Sequence, residues 1–185
     1  MAIKTIRNKK LLVLAEGAVM VALSAALSLL RIPIGPEGGS IDFAMIPLMV
    51  YALRRGVFSG LMAGAVAGMI QYFTEGYAVS IWSIIMDYPL AYMTVGLAGL
   101  MALKKSPGGW AVGAAIGGFA RYLVHIVSGV VFYASYATPT VWFMNTPTVW
   151  IYSAAYNALY MIPAIVIATV ACAALEKPLS KALME

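Results

Sequence analysis

Long apolar runs separated by short polar segments dominate the chain, and each run predicts a membrane-spanning helix. Helical spans need about 20 apolar residues, whereas the strands of a membrane barrel show about ten residues of alternating polarity. The runs therefore predict six helices in one compact bundle, the second of them short. They are expected at about residues 11–30, 42–53, 57–74, 82–103, 110–134 and 149–175. We expect an all-α membrane protein that forms a single domain over residues 1–185.

Composition agrees with this pattern. Of the 185 residues, 63% are hydrophobic and only 10% are charged, whereas soluble domains average about 25% charged residues. The lipid bilayer is thus the expected environment of nearly the whole chain. The net charge of +5 does not indicate nucleic-acid binding, because the basic residues lie at the ends of the spans.

The basic residues also predict the orientation of the bundle. If six spans alternate in direction, ten of the twelve Lys and Arg residues fall on one side, in the N-terminal segment, the turns at 54–55 and 104–105, and the C-terminal tail. Cytoplasmic segments carry an excess of Lys and Arg. Both termini are therefore expected in the cytoplasm, with Arg31 outside and Arg121 within the membrane.

Three polar residues interrupt the fifth span. Arg121 and the single histidine, His125, are four residues apart, so they share one helix face, which Ser128 continues. Ionisable residues inside a span usually face the bundle interior or a water-filled cavity. This face is thus predicted to line a small-molecule site, or else to hydrogen-bond neighbouring helices.

The predicted topology brings other polar residues to the same depth. Asp87 near the start of span four, His125 and Asn157 all fall in the outer half of the membrane, as do several tyrosines. A carboxylate, an imidazole and an amide among aromatic rings suit a small planar ligand, whose amine, amidine or cationic group the carboxylate would recognise. For Tyr136, Trp142 and Trp150, an interfacial aromatic belt is the alternative interpretation.

The sequence lacks the motifs that several kinds of chemistry require. It contains no Walker GxxxxGK[ST] segment, no HExxH motif and no cysteine beyond Cys172. No serine or cysteine nucleophile is recognisable beside the lone histidine. We therefore expect a protein that is not an enzyme and that holds no metal or cofactor.

Small residues form a stripe along the first span. Ala18, Ala22 and Ala26 repeat every four residues, which lets another helix approach closely. The spacing does not distinguish packing within the chain from docking of another subunit. Glu16, near the basic end of the span, could pair with a lysine.

Four segments, in order, resemble one membrane-protein family. RRGVFSGLMAGAVAGMIQ, MDYPLAYMTVGLAGL, RYLVHIVSGVVFYASYA and YSAAYNALYMIP are similar to the thiamine-specific substrate-binding (S) component of energy-coupling factor (ECF) transporters. The resemblance covers about residues 15–170. It implies six helices with both termini inside, and capture of thiamine near the outer face of a bacterial plasma membrane. It also implies two kinds of partner, a membrane coupling subunit of the EcfT type and two cytoplasmic ATPases.

The resemblance also assigns site residues in this sequence. The substrate-binding residues it implies are Tyr77, Asp87, Tyr88, His125, Tyr133, Tyr152 and Asn157. Docking is assigned to the stripe of Ala18, Ala22 and Ala26. The chain departs from the family pattern twice, because Asp87 replaces a glutamate and Tyr133 replaces what is usually a tryptophan. The family's aromatic residue in the first loop has no clear counterpart, and 41–43 is the nearest region.

Two alternatives differ from this interpretation. The chain could be an S component for another vitamin or a thiamine precursor, in which case the two departures would set the specificity. It could instead be a self-sufficient proton-coupled carrier that uses Asp87 and His125 as a relay. Arg121 either contacts a hydroxyl or phosphate end of the ligand or only braces the bundle, and the 31–41 loop is either a lid or a connector.

Overall fold

The computed structural model describes residues 9–34, 39–102 and 108–181. The α-helices are α1 Lys9–Ser28, α2 Met45–Arg55, α3 Val57–Glu75, α4 Ile81–Ile85, α5 Ala91–Val95, α6 Gly109–Phe132 and α7 Val149–Lys181. A π-helix, Met86–Leu90, joins α4 to α5, and a 3₁₀-helix, Gly96–Met101, extends α5. A short 3₁₀-helix, Ala134–Tyr136, follows α6.

Five helical stretches of the described chain are long and apolar enough to cross a membrane. They are α1, α3, the continuous stretch 81–101, α6 and α7. The prediction of a multi-pass all-α membrane protein is confirmed. The second helix, α2, has only 11 residues, so it extends about 16 Å and covers about half of the hydrocarbon core. Its burial among the other helices explains how so short an element is stabilised.

Two small hairpins replace parts of the predicted loops. Strands β1 Ile32–Pro33 and β2 Ser40–Ile41 pair antiparallel before α2. Strands β3 Thr140–Val141 and β4 Met144–Asn145 do so between α6 and α7. With two residues in each strand, these hairpins depend on the helices beneath them for stability.

A row of glycines brings α3 against the 81–101 stretch. A Cβ atom on Gly64 would overlap the carbonyl of Tyr92, and a Cβ on Gly68 would overlap that of Tyr88. The two helices therefore pack main chain against main chain, which small residues allow in membrane bundles. This contact fixes the position of the stretch that carries Asp87.

An ion-pair cluster joins the first turns of α1 to the C-terminal end of α2. Glu16 lies 3.0 Å from Arg54 Nε and accepts a hydrogen bond of 2.6 Å from Arg55 Nε. Beside it, the Tyr51 hydroxyl donates to the Val13 carbonyl at 2.9 Å. The sequence does not predict these two arginine partners of Glu16, because it does not reveal that the end of α2 packs beside the first turns of α1.

Candidate functional site

A cavity of about 910 Å³, measured with its open mouth, lies between the helices. All seven residues that the sequence analysis assigned to substrate binding line it. Its full lining is Gly39, Ser40, Asp42, Gln71, Tyr77, Asp87, Tyr88, Tyr92, Arg121, His125, Gly129, Tyr133, Tyr136, Tyr152, Ser153, Tyr156, Asn157 and Tyr160.

The π-helix positions the acidic wall of this cavity. Pro89 has no N–H to donate, so the regular α-helical ladder is interrupted one turn earlier. Ala91 donates instead to the Met86 carbonyl, five residues back. The wider turn contains Asp87 and Tyr88, both of which line the cavity. Single π-turns inside helices are frequent at functional sites.

Asp87 is the centre of a three-residue polar cluster. Its Oδ1 lies 3.4 Å from His125 Nδ1, and its Oδ2 accepts a hydrogen bond of 3.2 Å from the Tyr133 hydroxyl. His125 Nε2 is buried and has no hydrogen-bond partner. Because Asp87 contacts the other ring nitrogen, Nε2 is the imidazole nitrogen left without a partner among the described residues.

Tyrosine rings enclose the rest of the cavity. Tyr77 stacks against Tyr133 with ring centres 6.2 Å apart, and Tyr152 stacks against Tyr156 at 5.9 Å. The Tyr88 hydroxyl is anchored to the backbone of Tyr77, donating to its carbonyl at 3.0 Å and accepting from its N–H at 3.0 Å. Two stacked pairs of tyrosine rings therefore line the cavity, and aromatic rings can contact a planar ligand.

Asn157 connects α7 to α6. Its Nδ2 donates to the Ser153 carbonyl at 2.8 Å and to the His125 carbonyl at 3.4 Å. Its Oδ1 accepts a hydrogen bond from the Tyr160 hydroxyl. A Cβ on Gly129 would overlap the Ser153 hydroxyl, so only glycine allows this approach of the two helices. Asn157 thus holds the His125 wall against α7, and one lone pair of its amide oxygen is left for a ligand.

The guanidinium of Arg121 lies over an aromatic ring. Its Cζ is 3.8 Å from the centre of the Tyr92 ring, a cation–π geometry. Arg121 is 7% exposed and lines the cavity. The shared face of Arg121, His125 and Ser128 predicted from the sequence is confirmed, since all three are buried on one side of α6.

The sequence analysis missed a second carboxylate. Asp42 is 5% exposed, lines the cavity, and accepts a hydrogen bond of 2.8 Å from the Ala44 N–H. Asp87 is the one carboxylate that the sequence analysis assigned to the site. One sequence signal could have drawn attention to Asp42: it is an acidic residue at the start of an apolar helix, a position that favours capping. What brings Asp42 inward is the β1–β2 hairpin, which packs Gly39 against the Tyr160 ring.

The alanine stripe lies on the outside of the bundle. Ala18, Ala22 and Ala26 are all exposed, whereas Gly17 and Val21 on the other face of α1 are buried. The described residues therefore leave this stripe uncovered.

Known proteins are similar to this chain along most of its length. The Bacillus subtilis thiamine transporter ThiT is 34% identical over 181 residues, covering 89% of this chain and 90% of its own. ThiT of Lacticaseibacillus paracasei is 31% identical over 166 residues, covering 82% and 80%.

Solved structures resemble the fold. ThiT from Listeria monocytogenes superposes with a TM-score of 0.81 at 28% identity, covering 94% of this chain and 98% of its own. The S component of a bacterial ECF transporter reaches a TM-score of 0.64 at 16% identity, with 96% and 100% covered, which supports the fold alone. The family described as thiamine transporter protein (Thia_YuaJ) matches residues 14–184, and the chain therefore belongs to that family.

Proposed function

We propose that the protein is the thiamine-binding S component of an ECF-type importer. The observation that carries the proposal is the Asp87–His125 pair at 3.4 Å inside a cavity walled by tyrosine rings. Thiamine joins an aminopyrimidine to a cationic thiazolium that carries a hydroxyethyl group. Its two flat rings, single positive charge and few hydrogen-bonding groups match the groups that line the cavity.

Each polar residue has a distinct role in this scheme. The Asp87 carboxylate binds the cationic or amino part of the ligand, because an acceptor next to positive charge makes the stronger, charge-assisted interaction. His125 hydrogen-bonds a ligand heteroatom through Nε2, the nitrogen without a protein partner. Asn157 accepts a hydrogen bond from the ligand through the remaining lone pair of Oδ1, and its Nδ2 holds α6 against α7.

The tyrosines supply stacking and enclosure. Tyr77, Tyr88, Tyr133 and Tyr152 present ring faces or edges to the cavity. Contact between a cationic ring and an aromatic face contributes roughly 0.5–2 kcal/mol. Several such contacts in one cavity favour a thiazolium over an uncharged ring of the same size.

Transport requires partners that this scheme assigns to other chains. We infer that the protein lies in the bacterial plasma membrane with both termini inside, so that the cavity opens outward. An EcfT-type coupling subunit docks on the exposed stripe of Ala18, Ala22 and Ala26, and two cytoplasmic ATPases supply the energy. The absence of a Walker motif from the sequence supports this division of labour.

Isothermal titration calorimetry of the detergent-purified protein with thiamine tests the ligand. Calorimetry is preferable to tryptophan fluorescence, because the cavity lining contains tyrosines but none of the four tryptophans. One-to-one binding at submicromolar thiamine is the expected result. A heat signal absent for thiamine but present for another vitamin would contradict the proposal and favour a different substrate.

Energy coupling needs a separate measurement. Proteoliposomes that contain this chain alone should bind thiamine without accumulating it, and accumulation should require the coupling subunit, the ATPases and ATP. Accumulation driven by a proton gradient in liposomes with this chain alone would instead identify a proton-coupled carrier.

A further inference from the structure

Arg121 is a cavity residue to which the proposed binding scheme gives no role. It is 7% exposed, and its guanidinium lies 3.8 Å from the centre of the Tyr92 ring. Its Nε is buried without a hydrogen-bond partner. Within the ranges that the structure describes, Arg121 forms no ion pair with a carboxylate. A full positive charge is therefore held at the cavity and is not neutralised by direct contact.

The charges around the cavity are few enough to count. Its lining contains two carboxylates, Asp42 and Asp87, and Arg121 is the one Lys or Arg side chain among its described residues. Asp42 lies close enough to Arg121 to interact with it electrostatically. Setting aside the histidine, the lining has an excess of one negative charge.

We propose that Arg121 is a specificity-determining residue, the internal counter-charge that matches this cavity to a ligand with one positive charge. The inference rests on the proposed function, because thiamine is the monocation in question. Without Arg121, two carboxylates would face one cationic ligand and one of them would be left without a counter-charge. With Arg121, one carboxylate is balanced by the protein and one by the ligand.

The geometry favours this role over simple bracing. A bracing arginine donates to neighbouring carbonyls or carboxylates, whereas the guanidinium of Arg121 lies over the face of the Tyr92 ring. The planar guanidinium on an aromatic face holds the charge in a fixed place. Fixed charges in a partly buried site act over several ångströms, so contact with the ligand is not required.

The test compares two ligands of the same shape and different charge. Thiamine carries the thiazolium charge, and deazathiamine, its thiophene isostere, is neutral. Calorimetry gives the dissociation constant of each ligand, and the ratio of deazathiamine to thiamine measures the preference for the cation. A change in packing or stability moves both constants together, whereas a change in cavity charge moves their ratio.

Arg121→Gln should raise the cation preference by about tenfold, because it leaves a second carboxylate uncompensated. Arg121→Lys, which keeps the charge, should preserve the wild-type ratio. Asp42→Asn should lower the preference by a similar factor, and the Arg121→Gln/Asp42→Asn double variant should return it toward the wild-type value. Arg31→Gln is the matched control, since it removes one positive charge from an exposed arginine outside the cavity lining.

The outcomes separate this inference from the proposed function. If Arg121→Gln weakens both ligands equally, or lowers the cation preference, the counter-charge role is overturned and bracing remains. If Arg121→Gln does not fold, Asp42→Asn tests the same charge balance by removing a negative charge. An unchanged ratio of the two dissociation constants in Asp42→Asn would also overturn the counter-charge role. If the wild-type protein binds neither ligand, the proposed function itself fails, and the inference fails with it.

Discussion

Tyr133 donates a hydrogen bond of 3.2 Å to the Asp87 carboxylate, linking the end of α6 to the π-helix. Tyr133 and Asp87 are the two positions at which the sequence departs from the pattern of the family it resembles. The departures are therefore not independent. A shorter acid is combined with an aromatic residue whose hydroxyl reaches that acid, which keeps the carboxylate engaged with the far wall of the cavity.

This contact predicts energetic coupling between the two residues. Tyr133→Phe and Asp87→Asn should each weaken thiamine binding, and the double variant should weaken it by less than the sum of the two effects, since the shared hydrogen bond is lost only once. A coupling of about 1.5–3 kcal/mol is expected for a hydrogen bond to a charged group. A calorimetric double-mutant cycle measures it, and strict additivity would show that the pair does not act as a unit.

Removing the central polar groups should reduce affinity without unfolding the protein. Asp87→Asn and His125→Ala are each expected to weaken thiamine binding by more than tenfold, or about 1.4 kcal/mol. Glu176→Gln is a matched carboxylate-to-amide control, because Glu176 accepts a hydrogen bond from the Gly108 N–H outside the cavity. Normal binding by both cavity variants would remove the basis of the site assignment.

Gly39 should not accept a side chain. Its φ of +87° lies in the left-handed region, and an added Cβ would be 2.5 Å from the Tyr160 ring. Gly39→Ala should therefore displace the segment that carries Asp42 and weaken thiamine binding. Gly56→Ala separates the two causes, because Gly56 has a φ of +89° but nothing within 4 Å of the added atom.

Both alanine variants should lose about 1–2 kcal/mol of stability from backbone strain, and only Gly39→Ala should lose affinity. Thermal unfolding and calorimetry on the same samples test both expectations. Equal affinities of the two variants would mean that the hairpin contact with Tyr160 does not support the cavity.

A bulky residue on the exposed stripe should separate binding from transport. Ala22→Trp is expected to leave thiamine affinity unchanged and to abolish ATP-driven uptake, because a large ring prevents close helix approach. Leu23→Trp, also exposed on α1, provides a control of the same size off the stripe. Uptake by both variants at the wild-type rate would exclude the stripe as the docking face.

The ion-pair cluster between α1 and α2 should matter for stability alone. Glu16→Gln leaves Arg54 and Arg55, both partly buried, without this counter-charge, at an expected cost of about 1–3 kcal/mol. A lower thermal midpoint with unchanged thiamine affinity is the predicted result. A changed affinity would show that the cluster communicates with the cavity at the other end of the bundle.

The helical plan could be predicted because it depends on local properties. Runs of apolar residues define the spans, and the distribution of Lys and Arg gives their expected orientation. The shared face of Arg121 and His125 follows from helical spacing alone. That Asp87, His125 and Asn157 would lie near one another followed from depth, since each falls at a similar distance from the ends of its span.

Other features depended on contacts between distant parts of the chain. The sequence places Asp42 at the start of the short second span, and nothing local shows that a hairpin packs the nearby Gly39 against Tyr160 on α7. The partner of Arg121, Tyr92, lies on another helix, and its depth is shifted by the π-turn, which adds a residue to one turn. The arginine partners of Glu16 were missed because nothing in the sequence gives the relative height of α1 and α2.

The main-chain packing of α3 against the 81–101 stretch has a consequence for how such proteins diverge. Gly64 and Gly68 contact backbone atoms, so even the smallest side chain there would move a wall of the cavity. Substitution is far easier among the rings and polar groups that project from that wall. Evolution can thus change which molecule is recognised, one side chain at a time, on a frame whose dimensions stay constant.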